Sequence, residues 1–164
     1  MIGKAKMPYH QLNIPYDSAG ILAEVQDLDY KPLVQHLDNQ TYPDWLLADL
    51  PADSLTVRVC NEFVSLFETR LLVPARAIRF QPPQINESHI DGPLAKGVIN
   101  IVIGDGFKLQ IEDVEYDFHT SIFDIKRTHR LLDIHSTIYL IRMDVNHAYD
   151  KLLETALRKN LVIR

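Results

Sequence analysis

The rhythm of apolar and polar positions changes near Ala75. Upstream it is mixed. Residues 1–19 have no period and read as loop. "GILAEVQDL" (20–28) reads as a first strand. Residues 31–50 gather Trp45, Leu46, Leu47 and Leu50 and suggest one or two short helices broken by Pro43 and Pro51. "SLTVRVC" (54–60) alternates and reads as a strand. In "NEFVSLFETRLL", Phe63, Leu66, Phe67 and Leu71 recur at helical spacing, with Asn61 placed to cap the start and Pro74 to end it.

Downstream the period shortens to two. "RAIRFQ" and "INESHID" alternate, "GVINIVI" is apolar throughout, and "FKLQIEDV" alternates again. Gly104-Asp105-Gly106 between the last two predicts a hairpin. "YDF", "SIFDI", "RLLDI" and "TIYLIRMDV" follow, giving seven or eight short strands in about 70 residues, the signature of an all-β sandwich or barrel. "NHAYDKLLETALRKN" closes the chain as an amphipathic helix with Tyr149, Leu152, Leu153, Ala156 and Leu157 on one face. The expectation is a single domain over 1–164 of mainly β (α+β) class: a mixed helix/strand support over 1–74, a β core over 75–145 and a C-terminal helix over 146–160.

Composition narrows the class. The chain has 164 residues, 46% hydrophobic and 24% charged, enough for one real core. Its net charge of −5, with no Lys/Arg run, points away from nucleic acid. No stretch approaches the length of a membrane span and the N-terminus has no apolar run of the leader type, so a soluble, cytoplasmic protein is expected. The single cysteine, Cys60, forms no disulfide within the chain and reads as a buried, inert thiol.

Candidate chemistry centres on His-x-Asp, which occurs twice. His36-Leu37-Asp38 lies in a segment read as helix or turn, where i and i+2 diverge, so it reads as solvated surface. His89-Ile90-Asp91 ends an alternating run, where i and i+2 share a face. That suits two ligands of one metal ion, and a 2-His-1-carboxylate triad needs one more histidine. Of those downstream, His147 reads as a surface residue and His119 as part of a turn. His129 and His135 both remain open on spacing alone.

The segment from Arg79 to Val145 resembles the jelly-roll (double-stranded β-helix, cupin-like) core of the Fe(II)/2-oxoglutarate-dependent oxygenases, in particular the aspartyl/asparaginyl and prolyl hydroxylase-like group. "RFQPPQINESHID" is similar to that family's strand and proline turn leading into His-x-Asp, "GVINIVIGD" to the next apolar strand, "SIFDIKRTHRLLDI" to its Phe-Asp strand with the second histidine, and "TIYLIRMDV" to its closing strand. The resemblance implies His89, Asp91 and His129 as iron ligands and 2-oxoglutarate as co-substrate. It implies hydroxylation of a C–H bond in an amino acid, a peptidyl residue or a small metabolite. At the position where the family carries a basic residue for the far carboxylate of 2-oxoglutarate, this chain has Tyr139, and the nearest arginine is Arg142. Arg142, Lys96 and Lys108 are the candidate anion anchors, and Asn100 falls near a polar co-substrate position. The departure at Tyr139 supports an alternative, a cupin-like metal-binding or binding protein without this catalysis. Smaller features carry two readings each: Arg76 and Arg79 as solvated edge charges or as contacts to an acidic substrate, Tyr42 and Trp45 as packing or as a substrate entrance. Phe80, Phe107, Tyr116, Phe118 and Phe123 are expected in the core.

Overall fold

The computed structural model describes residues 7–35, 40–82, 88–92 and 94–163, with side chains undescribed at 33–35 and 40–45. In chain order the elements are β1 (Tyr9–Gln11), α1 (Ser18–Val25), β2 (Lys31–Gln35), β3 (Gln40–Asp49), α2 (Leu55–Leu66), β4 (Arg76–Phe80), β5 (Gly97–Ile103), β6 (Lys108–Ile111), β7 (Val114–Asp117), β8 (Ser121–Phe123), β9 (His129–Leu132), β10 (Ile138–Val145) and α3 (Tyr149–Arg158). Among the described residues the protein is thus mainly β, with two antiparallel sheets and three helices. The large sheet runs β1-β8-β5-β10-β4-β3-β2 and the small one β7-β6-β9.

The strands downstream of Ala75 follow the alternation, while the half upstream does not. Residues 20–28 are not a strand: Asp17 caps α1 by accepting from the Gly20 amide (2.9 Å), and Ile21 and Val25 are buried one turn apart. Residues 54–60 open α2 instead of a strand. Ser54 accepts from the Val57 amide, and the Glu24 carboxylate accepts from the amides of Leu55 (3.0 Å) and Thr56 (2.8 Å). Thr56, Val59, Cys60, Phe63 and Val64 then bury one helical face. The β-branched residues that read as a strand are overruled by this tertiary face and by a cap donated from another helix. Asn61 therefore lies mid-helix, and the helix stops at Leu66, before Glu68 turns left-handed (φ 54°), well short of Pro74. Residues 31–50 form the antiparallel pair β2–β3 at the sheet edge, where Pro32 and Pro43 are tolerated. His36 and Asp38 lie outside the described residues.

Gly104-Asp105-Gly106 does not close a hairpin. β5 pairs with β10 and β8, whereas β6 pairs with β7 and β9 in the other sheet. The two glycines, at φ 132° and 80°, carry the chain from one sheet to the other. The tight hairpin is β6–β7, turned by Glu112-Asp113 with Glu112 at φ 53°.

Three layers result. Ile99, Ile101 and Ile103 of β5 and Ile141, Met143 and Val145 of β10 pack with Ile21, Phe63, Leu152 and Ala156 of the helices. The opposite faces supply Val98, Val102, Ile138 and Leu140, which meet Leu109, Ile111 and Leu131 of the small sheet. β5 and β10 are covered on both sides, which explains their apolar runs. Phe80, Phe107, Phe118 and Phe123 are buried and Tyr116 packs at the edge of that core. On α3, Tyr149, Leu152, Leu153 and Ala156 are buried and Leu157 is exposed, its place on the inner face taken by Thr155. Cys60 is buried, and that burial pushes its thiol up to about 12. Among the described residues no helix is long and apolar enough to cross a membrane.

Candidate metal centre

His89 forms an isolated bridge with His129. Each amide donates to the other's carbonyl, at 3.0 and 2.9 Å, so the segment around His89 runs beside β9 at the free edge of the small sheet. The Asp91 amide donates to Ile125 O (3.2 Å), which fixes the chain two residues further on. Extended backbone puts the side chains of His89 and Asp91 on one face, and the bridge brings His129 against them.

One ligand atom from each of His89, Asp91 and His129 lies within 4.8 Å of the other two, so this group could hold a metal ion. His129 Nε2 is 3.0 Å and His89 Nε2 3.4 Å from Asp91 Oδ1, and the imidazole centroids are 4.4 Å apart. His129 Nδ1–H donates to Arg127 O (2.8 Å), which turns Nε2 toward the cluster, the orientation expected of a ligating imidazole. The edge of the Phe123 ring packs against His129, 5.1 Å between centroids. The side chains of Asp91 and His129 are 7% and 6% exposed, that of His89 35%, so the cluster opens on the His89 side.

The other Asp91 oxygen is occupied. Arg142 Nη2 donates to Oδ2 at 2.7 Å, leaving Oδ1 for an ion. Arg142 also donates to Asp144, from Nε at 3.2 Å and from Nη2 at 3.0 Å, and Arg76 Nη2 reaches Asp144 Oδ2 at 3.3 Å. Burial alone would raise the Asp91 carboxyl. Hydrogen bonds from His129 and His89 and the charge of Arg142 outweigh it and hold that carboxyl well below the usual carboxylate range. The carboxylate is therefore ionised, as a metal ligand must be.

Of the two histidines left open, His129 joins the cluster, while His135 is exposed in the loop after β9. Arg142 faces the cluster and Tyr139 faces the helices, beside Tyr30. Asn100 is buried on β5, directly opposite Arg142. Lys96 is exposed and donates to Asn146 Oδ1 (2.9 Å), and Lys108 alternates with the inward Leu109. Arg79 lies over the Tyr30 ring on the helical side, away from the cluster. His147 is half-buried, not a surface residue. The side chains of Tyr42 and Trp45 lie outside the described residues.

Asp144 and the Arg142–Asp91 contact were missed in the sequence. Apolar residues occupy both parities of β10, so its pattern does not say which parity faces inward. Two cavities among the described residues, lined respectively by Leu50, Val57, Cys60 and Leu71 and by Asp29, Lys31, Leu47 and Asp49, lie elsewhere. No protein-family model and no curated protein sequence matches the chain.

Proposed function

We propose that the protein is an Fe(II)- and 2-oxoglutarate-dependent dioxygenase that hydroxylates a C–H bond of an amino acid, a peptidyl residue or a small metabolite. The observation that carries the reading is the convergence of His89, Asp91 and His129 within 4.8 Å. Two imidazoles and one carboxylate on one side of an ion are the donor set of non-haem Fe(II) oxygenases, with further positions left open. The strand order adds support. If the His89 segment is counted as a strand, the eight strands from β4 to β10 divide between the sheets as 1-8-3-6 and 2-7-4-5, an order that fits a double-stranded β-helix.

The reaction would consume O2 and 2-oxoglutarate and yield hydroxylated product, succinate and CO2, with bound iron supplying the activation of dioxygen. The chain's own contribution is positional. The backbone bridge sets the spacing of the two imidazoles, Arg127 O fixes the tautomer of His129, and Arg142 restricts Asp91 to one free oxygen. Phe123 and the apolar core beneath keep water from the buried side of the cluster.

A second reading has its own observation. Deep on the inner face, β10 presents Ile138 and Leu140, with Ile78 and Phe80 beside them, all apolar. Tyr139 points the other way. This favours a metal-binding protein of the same fold that lacks 2-oxoglutarate turnover. The two readings separate on anaerobic addition of Fe(II) and then 2-oxoglutarate. A weak visible metal-to-ligand charge-transfer band, and succinate formed when air is admitted, are expected of the oxygenase. Iron binding with neither would leave the second reading.

A further inference from the structure

Asp144 is not one of the three residues whose atoms converge, yet its carboxylate decides how Arg142 meets Asp91. Alternation puts Arg142 and Asp144, two positions apart on β10, on the same inner face. Arg142 Nε donates to both Asp144 oxygens at 3.2 Å, and Nη2 donates to Asp144 Oδ1 at 3.0 Å. One edge of the guanidinium is thereby engaged. Nη2 also reaches Asp91, at 2.7 Å and on Oδ2. The backbone of Asp144 is itself held on both sides. Its Cα pairs with that of Val98 on β5, and its carbonyl accepts from the Leu72 amide at 2.9 Å. Its side chain is 12% exposed, and Oδ2 also accepts from Arg76 Nη2 at 3.3 Å. A carboxylate fixed on a central strand in turn fixes the group it holds.

The chemistry of arginine says what this prevents. A free guanidinium meets a carboxylate best as a fork, with two parallel N–H groups on two oxygens. Such a pair on Asp91 would take Oδ1 as well as Oδ2. Oδ1 is the oxygen that faces the imidazoles, at 3.0 and 3.4 Å. An ion would then compete with Arg142 for its one anionic ligand. With the Nε edge turned to Asp144, Arg142 meets Asp91 through Nη2 alone, and the other carboxylate oxygen stays available.

We propose that Asp144 is a positioning residue of the metal centre, which orients the Arg142 guanidinium so that Asp91 keeps Oδ1 free for the ion. The proposal rests on the metal reading of His89, Asp91 and His129 but not on turnover. It differs from a purely structural role. The Cα atoms of Arg76 and Arg142 are paired across β4 and β10, and like charges placed directly opposite repel. A carboxylate that only neutralised this pair would matter to folding and not to the bound ion.

The test uses the full chain and Co(II), whose visible bands report the donors around the ion. Asp144→Leu, which removes both acceptors, is expected to bind Co(II) about ten- to a hundredfold more weakly than the wild type, the usual cost of losing a group that orients a ligand. At saturation its visible bands should differ from those of the wild type. Asp144→Leu combined with Arg142→Met should lose no more affinity than Arg142→Met alone, because Asp144 acts through Arg142. Arg76→Gln in the Asp144→Leu background should restore neither the affinity nor the bands. If Asp144→Leu does not fold, Asp144→Asn, which keeps the shape, carries the same test. A variant that matches the wild type in affinity or in bands overturns the proposal and leaves the metal centre intact. So do losses that add in the combination with Arg142→Met, and so does rescue by Arg76→Gln, which would make Asp144 a neutraliser of two opposed arginines. A wild type that takes up no Co(II) overturns the metal reading and this inference with it.

Discussion

At the level of single residues the centre depends on how Asp91 divides its two oxygens. Oδ2 accepts from Arg142 at 2.7 Å and Oδ1 faces the imidazoles at 3.0 and 3.4 Å. Arg142→Met would release Oδ2 and leave Asp144 with Arg76 alone. Fe(II) affinity is expected to fall about ten- to a hundredfold, the usual cost of losing a residue that orients a ligand, as read by anaerobic competition with a chelator. The same contacts set a pH dependence in the metal-free protein. A carboxyl held below its ordinary value of 3.8 contributes stability that is present above that value and lost as pH falls below it. The unfolding free energy of the metal-free wild type should therefore decline below about pH 4, and Asp91→Asn should flatten that decline, as denaturant titrations at stepped pH would show.

At the level of elements, what was legible depended on what covers each face. The strands after Ala75 could be read because alternation survives where one face is solvated, as in β6, and because the apolar run of β5 is what two covered faces require. The same double cover hid the parity of β10, and with it the inward position of Arg142. The first half of α2 was misread because Val57 and Val59 carry strand preference, while its N-terminal amides are satisfied by Glu24, a residue 31 positions upstream that no local pattern reveals. The glycine turn was misread because two apolar runs around Asp-Gly look alike whether the chain folds back or crosses to the other sheet. The hairpin that does fold back uses Glu112-Asp113, with Glu112 left-handed at φ 53°. Replacing Glu112 by Asn, which accepts that conformation more readily, is expected to stabilise the protein by up to about 1 kcal/mol, less what the Glu112–Arg127 ion pair contributes, and thermal unfolding would measure the difference.

At the level of the whole molecule, the three layers separate stability from chemistry. One face of the large sheet is committed to the helices, and Gly97 shows how closely: a Cβ there would overlap the His147 carbonyl oxygen just before α3. The other face closes on the small sheet with apolar side chains at one end and Arg76, Arg142, Asp144 and the His-Asp-His cluster at the other. His-x-Asp was legible as two candidate ligands because their spacing is local. The third candidate depended on a backbone bridge between residues 40 positions apart, which spacing alone did not distinguish from His135. The most direct test of the account is the stoichiometry of Fe(II) binding under anaerobic conditions in the wild type, Asp91→Ala and His135→Ala. One ion per chain in the wild type and in His135→Ala, with none retained by Asp91→Ala, is the predicted result. Undiminished binding by Asp91→Ala, or no binding by the wild type, would contradict it.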